Sequence, residues 1–191
     1  MRLDKNLNLI FPHDLTTGTG YVYSMPISRN VFEVYYAELG HVFTQCISSN
    51  DSKYIGITAP QLALPALKKY AKDIGNWDTP NGVKNGLINE MIRLTSIGFV
   101  GKNGWETLPM DIAIKRKIVD EDIESEVLSN LVFTCAISKV APRGLSVGFL
   151  EMAGSPREWQ STSSNFMEFL NSLPTLTTEE VTTKKRSAVV S

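Results

Sequence analysis

Cysteine and histidine are scarce: the 191 residues hold two of each, Cys46 and Cys135, His13 and His41. A disulfide framework needs more, and each cysteine lies far from the other in an apolar helical pattern, the usual setting of a buried free thiol. A zinc site needs about four ligands at local spacings. The nearest pair, His41 and Cys46, falls on different faces of a helix, so no metal site is expected. Charge of one sign is also missing. Nineteen basic side chains face twenty acidic ones, a net charge of -1, which leaves no global field to hold a nucleic acid by counterion release. No apolar run approaches the roughly eighteen residues of a membrane span. The opening Met1-Arg2-Leu3-Asp4-Lys5-Asn6 carries charge where a secretion signal requires an apolar stretch, so no membrane and no export are expected. Asn50-Asp51-Ser52 fits a glycosylation pattern that such a chain never presents to the machinery.

With 42% hydrophobic and 20% charged residues the composition is that of a folding globular chain, and its length suits one domain. Leu7, Leu9 and Phe11 alternate within 6–11. After a loop holding Gly18 and Gly20, residues 21–25 alternate again, which predicts an N-terminal β-hairpin over 1–26. Helices follow. Ser28 caps one carrying Val31, Phe32, Tyr35, Leu39, Val42, Phe43 and Cys46. A second begins near Leu64-Pro65 and ends at Gly75. A third starts at Thr79-Pro80 and runs through Val83, Leu87, Met91 and Leu94 to Gly98. Thr107-Leu108-Pro109 opens a short one ending in Lys115-Arg116-Lys117. The acidic run 120–126 opens a long one, apolar on most sides through Leu128, Leu131, Val132, Phe133, Cys135 and Ile137, which marks it as the centre of the core. A short apolar piece spans 145–152. Asn165 and Glu168 then form a capping pair for a last helix with Phe166, Phe169 and Leu173, closed by Pro174. From Thr175 to Ser191 the composition turns to Thr, Ser, Glu and Lys, which predicts a disordered tail. The expected fold is mainly α: one helical domain over 1–174, with the hairpin at 1–26, helices at 27–174 and a flexible tail at 175–191.

Gly144-Leu145-Ser146-Val147-Gly148 matches the G-x-S-x-G of serine hydrolases. That motif requires a strand before it and a histidine after it; here the preceding segment reads as helix to Pro142, and His13 and His41 both lie upstream. Gly18-Thr19-Gly20 lacks the further glycine and helix start of a phosphate loop. The carboxylates of 120–126 read as solvated or as acting on a helix end, and Lys184-Lys185-Arg186 as a solvated cluster. No catalytic residue, cofactor or metal ligand is assigned, and the chain is expected to work by binding proteins. Phe32, Tyr35, Tyr36 and Phe43 read first as core, with the excess of tyrosine as the one hint of a contact face. The protein-binding residues themselves do not follow from the sequence.

Five segments carry a resemblance: residues 3–9 (LDKNLNL), 21–32 (YVYSMPISRNVF), 85–94 (NGLINEMIRL), 103–109 (NGWETLP) and Trp159 through Leu173-Pro174. In these the chain resembles the tail assembly chaperones of long-tailed, siphovirus-like bacteriophages, over most of residues 1–175. The resemblance implies a late protein of the host cytoplasm, absent from the mature virion, that binds the tape-measure protein and keeps it soluble while the tail tube assembles. The tail tube protein and self-association are further partner candidates. It also implies a frameshifted longer product, with Lys184-Lys185 as residues that the run of adenines in such a slippery site would encode. The rival expectation is a structural virion component of the tail or head-tail connector.

Overall fold

The computed structural model describes residues 2–3, 8–48, 55–101, 104–140 and 165–173. Five antiparallel strands lie in sequence order: β1 (Arg2–Leu3), β2 (Leu9–Leu15), β3 (Gly18–Ser24), β4 (Thr95–Gly101) and β5 (Gly104–Pro109). Between β3 and β4 come α1 (Arg29–Val34), α2 (Tyr36–Ser48), α3 (Ile55–Asp73), a π-helical turn over Lys84–Ile88 and α4 (Asn89–Arg93). After β5 come α5 (Met110–Lys115), α6 (Glu121–Val140) and α7 (Phe166–Asn171). The fold is therefore mixed α/β, and the expectation of a mainly helical domain with only a hairpin is corrected.

Two misread segments account for the difference. The helical spacing of Val83, Leu87 and Met91 does place all three in the core, but the helix ends at Arg93. Thr95-Ser96-Ile97-Gly98-Phe99-Val100-Gly101 then runs as a strand beside β3, with Val22 opposite Ile97. Its β-branched and aromatic residues suit a pleated surface better than a helix. Thr95 marks the switch, its buried Oγ1 hydrogen-bonding Met91 O at 2.7 Å and Ser24 Oγ at 3.0 Å. Likewise Thr107-Leu108-Pro109 is the end of β5, not the opening of a helix, and α5 starts one residue after Pro109.

The hairpin itself is longer and tighter than the loop through Gly18 and Gly20 suggested: β2 continues through Pro12 to Leu15, and Thr16-Thr17 makes the turn into β3. Gly18, at φ +117°, takes a backbone conformation that favours glycine. Thr16 fastens this tip to the α5–α6 connection, donating from N to Ile118 O at 3.2 Å and from Oγ1 to Lys117 O at 2.8 Å.

Both faces of the sheet are covered. Leu9, Phe11, Val22, Ile97 and Phe99 point into the main core with α2, α3 and α6. Ile10, Tyr21, Tyr23 and Trp105 point the other way, against Phe166, Phe169 and Leu170 of α7. Period-two alternation explains how one strand feeds two cores. α6 is the centre that its sequence predicts: Asp120 Oδ1 accepts from Ile123 N at 2.9 Å to start it. Val127, Leu128, Leu131, Val132, Phe133, Ala136 and Ile137 are all buried.

α3 also departs from expectation. It starts at Ile55 and carries Pro60 and Pro65 inside it, where a start near Leu64-Pro65 was expected. Proline in a helix interior removes a ladder donor and crowds the carbonyl four residues back. The relief comes from α6. The hydroxyl of buried Ser129 donates to Pro60 O at 2.7 Å, accepts from Leu64 N at 3.1 Å and lies 3.2 Å from Gln61 O. A side chain of a neighbouring helix is thus inserted into the ladder beside Pro65.

Cys46 is fully buried, and Cys46 and Cys135 form no disulfide. Burial pushes the Cys46 thiol up to about 11, and that of Cys135 to about 12 against the lowering pull of Lys139. A thiol pKa raised above its ordinary value of 9 means that the folded state holds the proton longer, so this stability is intact below pH 9 and is lost as pH rises through the folded value. Denaturant midpoints are expected to fall between pH 9 and 11, and Cys46→Val to fall less over that window than the native chain. An equal fall in the two chains would remove Cys46 as a cause.

The G-x-S-x-G at 144–148, the apolar piece at 145–152, the Asn50 pattern, Leu7, Pro174, the tail at 175–191 and Lys184-Lys185-Arg186 lie outside the described residues.

Candidate protein-contact surface

The stripe Phe32, Tyr35, Tyr36 and Phe43 is divided by a break in the helix. Ser28, in extended conformation, caps α1 through Oγ, which accepts from Val31 N at 3.3 Å. Arg29 and Glu33 add an exposed pair one turn apart, Nε to Oε1 2.7 Å. At Tyr35 the backbone leaves the helix (φ -109°, ψ 24°), and α2 begins at Tyr36. Tyr35 turns into the core, 5% exposed, and its Oη donates to Asn81 O at 2.9 Å. Burial, then the nearby Glu38 carboxylate, raises its pKa. Tyr36 points outward at 56% exposure, and the Phe32 ring meets it edge-on at 5.7 Å.

What remains is a short helix, half of it apolar, that buries nothing fully. None of the residues of α1 is buried, Val31 and Phe32 are only partly covered, and Val34 is 67% exposed. Other large apolar side chains that reach solvent, such as Leu62 on α3, Ile74 just past its end or Val100 on β4, come singly and beside buried residues of the main core. Scattered exposed residues of that kind need no explanation. Val34, Tyr36 and the flanking Met25 (45% exposed) are instead carried by one short stretch of chain. Val34 was not among the stripe residues because it falls on the opposite side of the helical period, and no sequence signal separates an exposed apolar residue there from a buried one.

The candidate ligand residues are otherwise engaged. His41 stacks flat on Tyr70 (4.2 Å, 13°) between α2 and α3, away from any role shared with buried Cys46. His13 Nε2 meets Glu126 Oε2 at 3.2 Å, tying β2 to α6, and its Nδ1 lies 3.1 Å from Asp14 O. The acidic run is therefore not purely solvated: Glu126 holds His13, and Glu124 has its pKa raised by burial and then by Glu121. Gly18-Thr19-Gly20 is strand β3. Buried Glu38 accepts from Asn76 Nδ2 at 2.8 Å, fixing α2 to the end of α3. Among the described residues no three His, Cys, Asp or Glu side chains come together as a metal site, and no helix is long and apolar enough to cross a membrane. The chemistry this surface offers is burial of apolar area against a partner. No protein-family model, curated protein or solved structure matches the chain.

Proposed function

We propose that this protein is a phage tail assembly chaperone that binds the tape-measure protein in the host cytoplasm and keeps it soluble until the tail tube forms around it. The observation that carries the reading is α1, which has no buried residue of its own and exposes Val34, together with exposed Tyr36 just past buried Tyr35. The five segments that resemble this family supply the partner's identity. A chaperone must mask amphipathic helices reversibly, and exposed aromatic and aliphatic groups accept such anchors without catalytic groups. Tyrosine suits this use because it is apolar yet stable in water when the client leaves.

The test is co-expression with the tape-measure protein of the same genome, followed by pull-down and measurement of the soluble client fraction. The native chain is expected to bind and rescue the client. Val34→Asp with Tyr36→Asp is expected to cut binding about tenfold or more, as for hot-spot residues, while thermal stability stays within about 0.5 kcal/mol because both sites are exposed. Client that is neither bound nor rescued by the native chain, together with this chain in purified particles, would replace the chaperone with a virion component. Full rescue by the double variant would remove α1 as the contact.

A further inference from the structure

The outer face of the sheet is a groove for a helix, and its present occupant is short. α7 has six residues, far below the ~12–15 at which a helix becomes marginally stable alone in water. It is held by its capping box, Asn165 Oδ1 accepting from Glu168 N at 2.9 Å and Glu168 Oε2 from Asn165 N at 3.2 Å, and by its anchors. Those anchors are Phe166, Phe169, Leu170 and Leu173, the i, i+3, i+4, i+7 series of a helix laid in a groove. Phe166 stacks on Tyr23 (4.8 Å, 16°), Phe169 meets Tyr21 edge-on (5.3 Å, 80°), and Trp105 closes the row against Tyr21 (5.6 Å). The floor is Gly98: a Cβ there would come within 2.8 Å of Leu170 Cδ1 and 2.9 Å of Phe166 Cζ. Glycine lets the helix sit close to the strand.

The fit is incomplete. Trp105 Nε1 is buried with no hydrogen-bond partner among the described residues, and a buried donor left unpaired costs free energy. Met167 stands 39% exposed on the outer side of α7.

From these observations we infer that α7 is a resident stand-in, and that the groove of Ile10, Tyr21, Tyr23, Gly98 and Trp105 exchanges it for an amphipathic client helix bearing aromatic side chains at i and i+3 and leucine at i+4. The client's identity as tape-measure protein rests on the chaperone reading; the groove and its exchange do not. Binding through α1 is then accompanied by a second contact that opens only when α7 is displaced.

The test uses a fluorescent peptide spanning Asn165–Leu173, titrated into the full native chain and into the full chain carrying Phe169→Ser and Leu170→Ser. The opened chain is expected to bind about tenfold or more tightly, since a resident competitor lowers apparent affinity by the fraction of molecules with the groove free. Equal affinity in the two chains, or binding by neither, overturns the inference. Should the double variant not fold by circular dichroism, the native chain answers by hydrogen exchange: excess peptide is expected to speed exchange in 167–172 and not in α6. No acceleration overturns it. A concentration-dependent dimer abolished by the two substitutions would assign the groove to a second copy's α7 and likewise overturn it. Peptide binding without client binding would support the groove while counting against the chaperone alone.

Discussion

Gly86→Ala is expected to destabilise the protein by about 2–4 kcal/mol, as overpacking and a lost buried hydrogen bond act together. Gly86 lies within the π-helical turn, where Ile88 N donates to Val83 O five residues back. The tip of the Tyr35 ring fills the space that a side chain at 86 would need: a Cβ there would overlap Tyr35 Oη and approach Cζ to 2.7 Å. Tyr35 cannot withdraw freely because its ring is buried and its hydroxyl holds Asn81 O. The melting temperature is expected to fall by roughly 5–15 °C for a chain of this size. The decisive measurement is a double-mutant cycle with Tyr35→Phe, which removes the overlapping oxygen. The pair is expected to lose at least about 0.5 kcal/mol less than the sum of the single losses. Strict additivity would show that the two positions do not meet.

Ser129→Ala is expected to cost about 2–3 kcal/mol, since it strips a partner from Pro60 O, Gln61 O and Leu64 N within the α3–α6 contact. A surface serine loses almost nothing on the same change. The origin of the loss can be read separately. Pro65→Ala returns an N–H to the α3 ladder and can serve Gln61 O from within the helix. In that background the serine loss is expected to shrink by about 0.5 kcal/mol or more, by denaturant unfolding at constant slope. An unchanged loss would mean that Ser129 acts by packing alone.

The parts of the fold that local chemistry determines were legible in the sequence. Ser28, Asp120 and the Asn165–Glu168 pair each cap the helix assigned to them, because a capping oxygen acts within three residues of itself. Central α6 is largely buried from Val127 to Ile137 because a helix that is apolar on most sides has no other place. What failed was decided at long range. Thr95–Gly101 became a strand because β3 and β5 lie ready on either side of it, which no period within the segment records. Pro65 read as a helix start, since the hydroxyl that tolerates it inside α3 comes from Ser129 on α6. The proposed contact surface was half legible: an excess of tyrosine pointed to the stripe, but the break at Tyr35 decides that Tyr36 faces water and Tyr35 faces the core. The outer groove was hidden because Tyr21, Tyr23 and Trp105 become neighbours only when β4 sets β3 and β5 on either side of it.

The order of strands also bears on how the molecule is made. β2 with β3, and β4 with β5, are local pairings that a nascent chain forms within microseconds of emergence. Ser24 and Thr95, at the seam between these halves, are 71 positions apart, and bringing such distant segments together costs loop-closure entropy before any contact rewards it. Until Thr95–Gly101 leaves the ribosome, β3 is an open edge carrying Tyr21 and Tyr23, the kind of edge that pairs with foreign strands. Helices α1–α4 occupy the chain between these two strands, so the length they take up sets how much chain must be drawn in before the two halves of the sheet join.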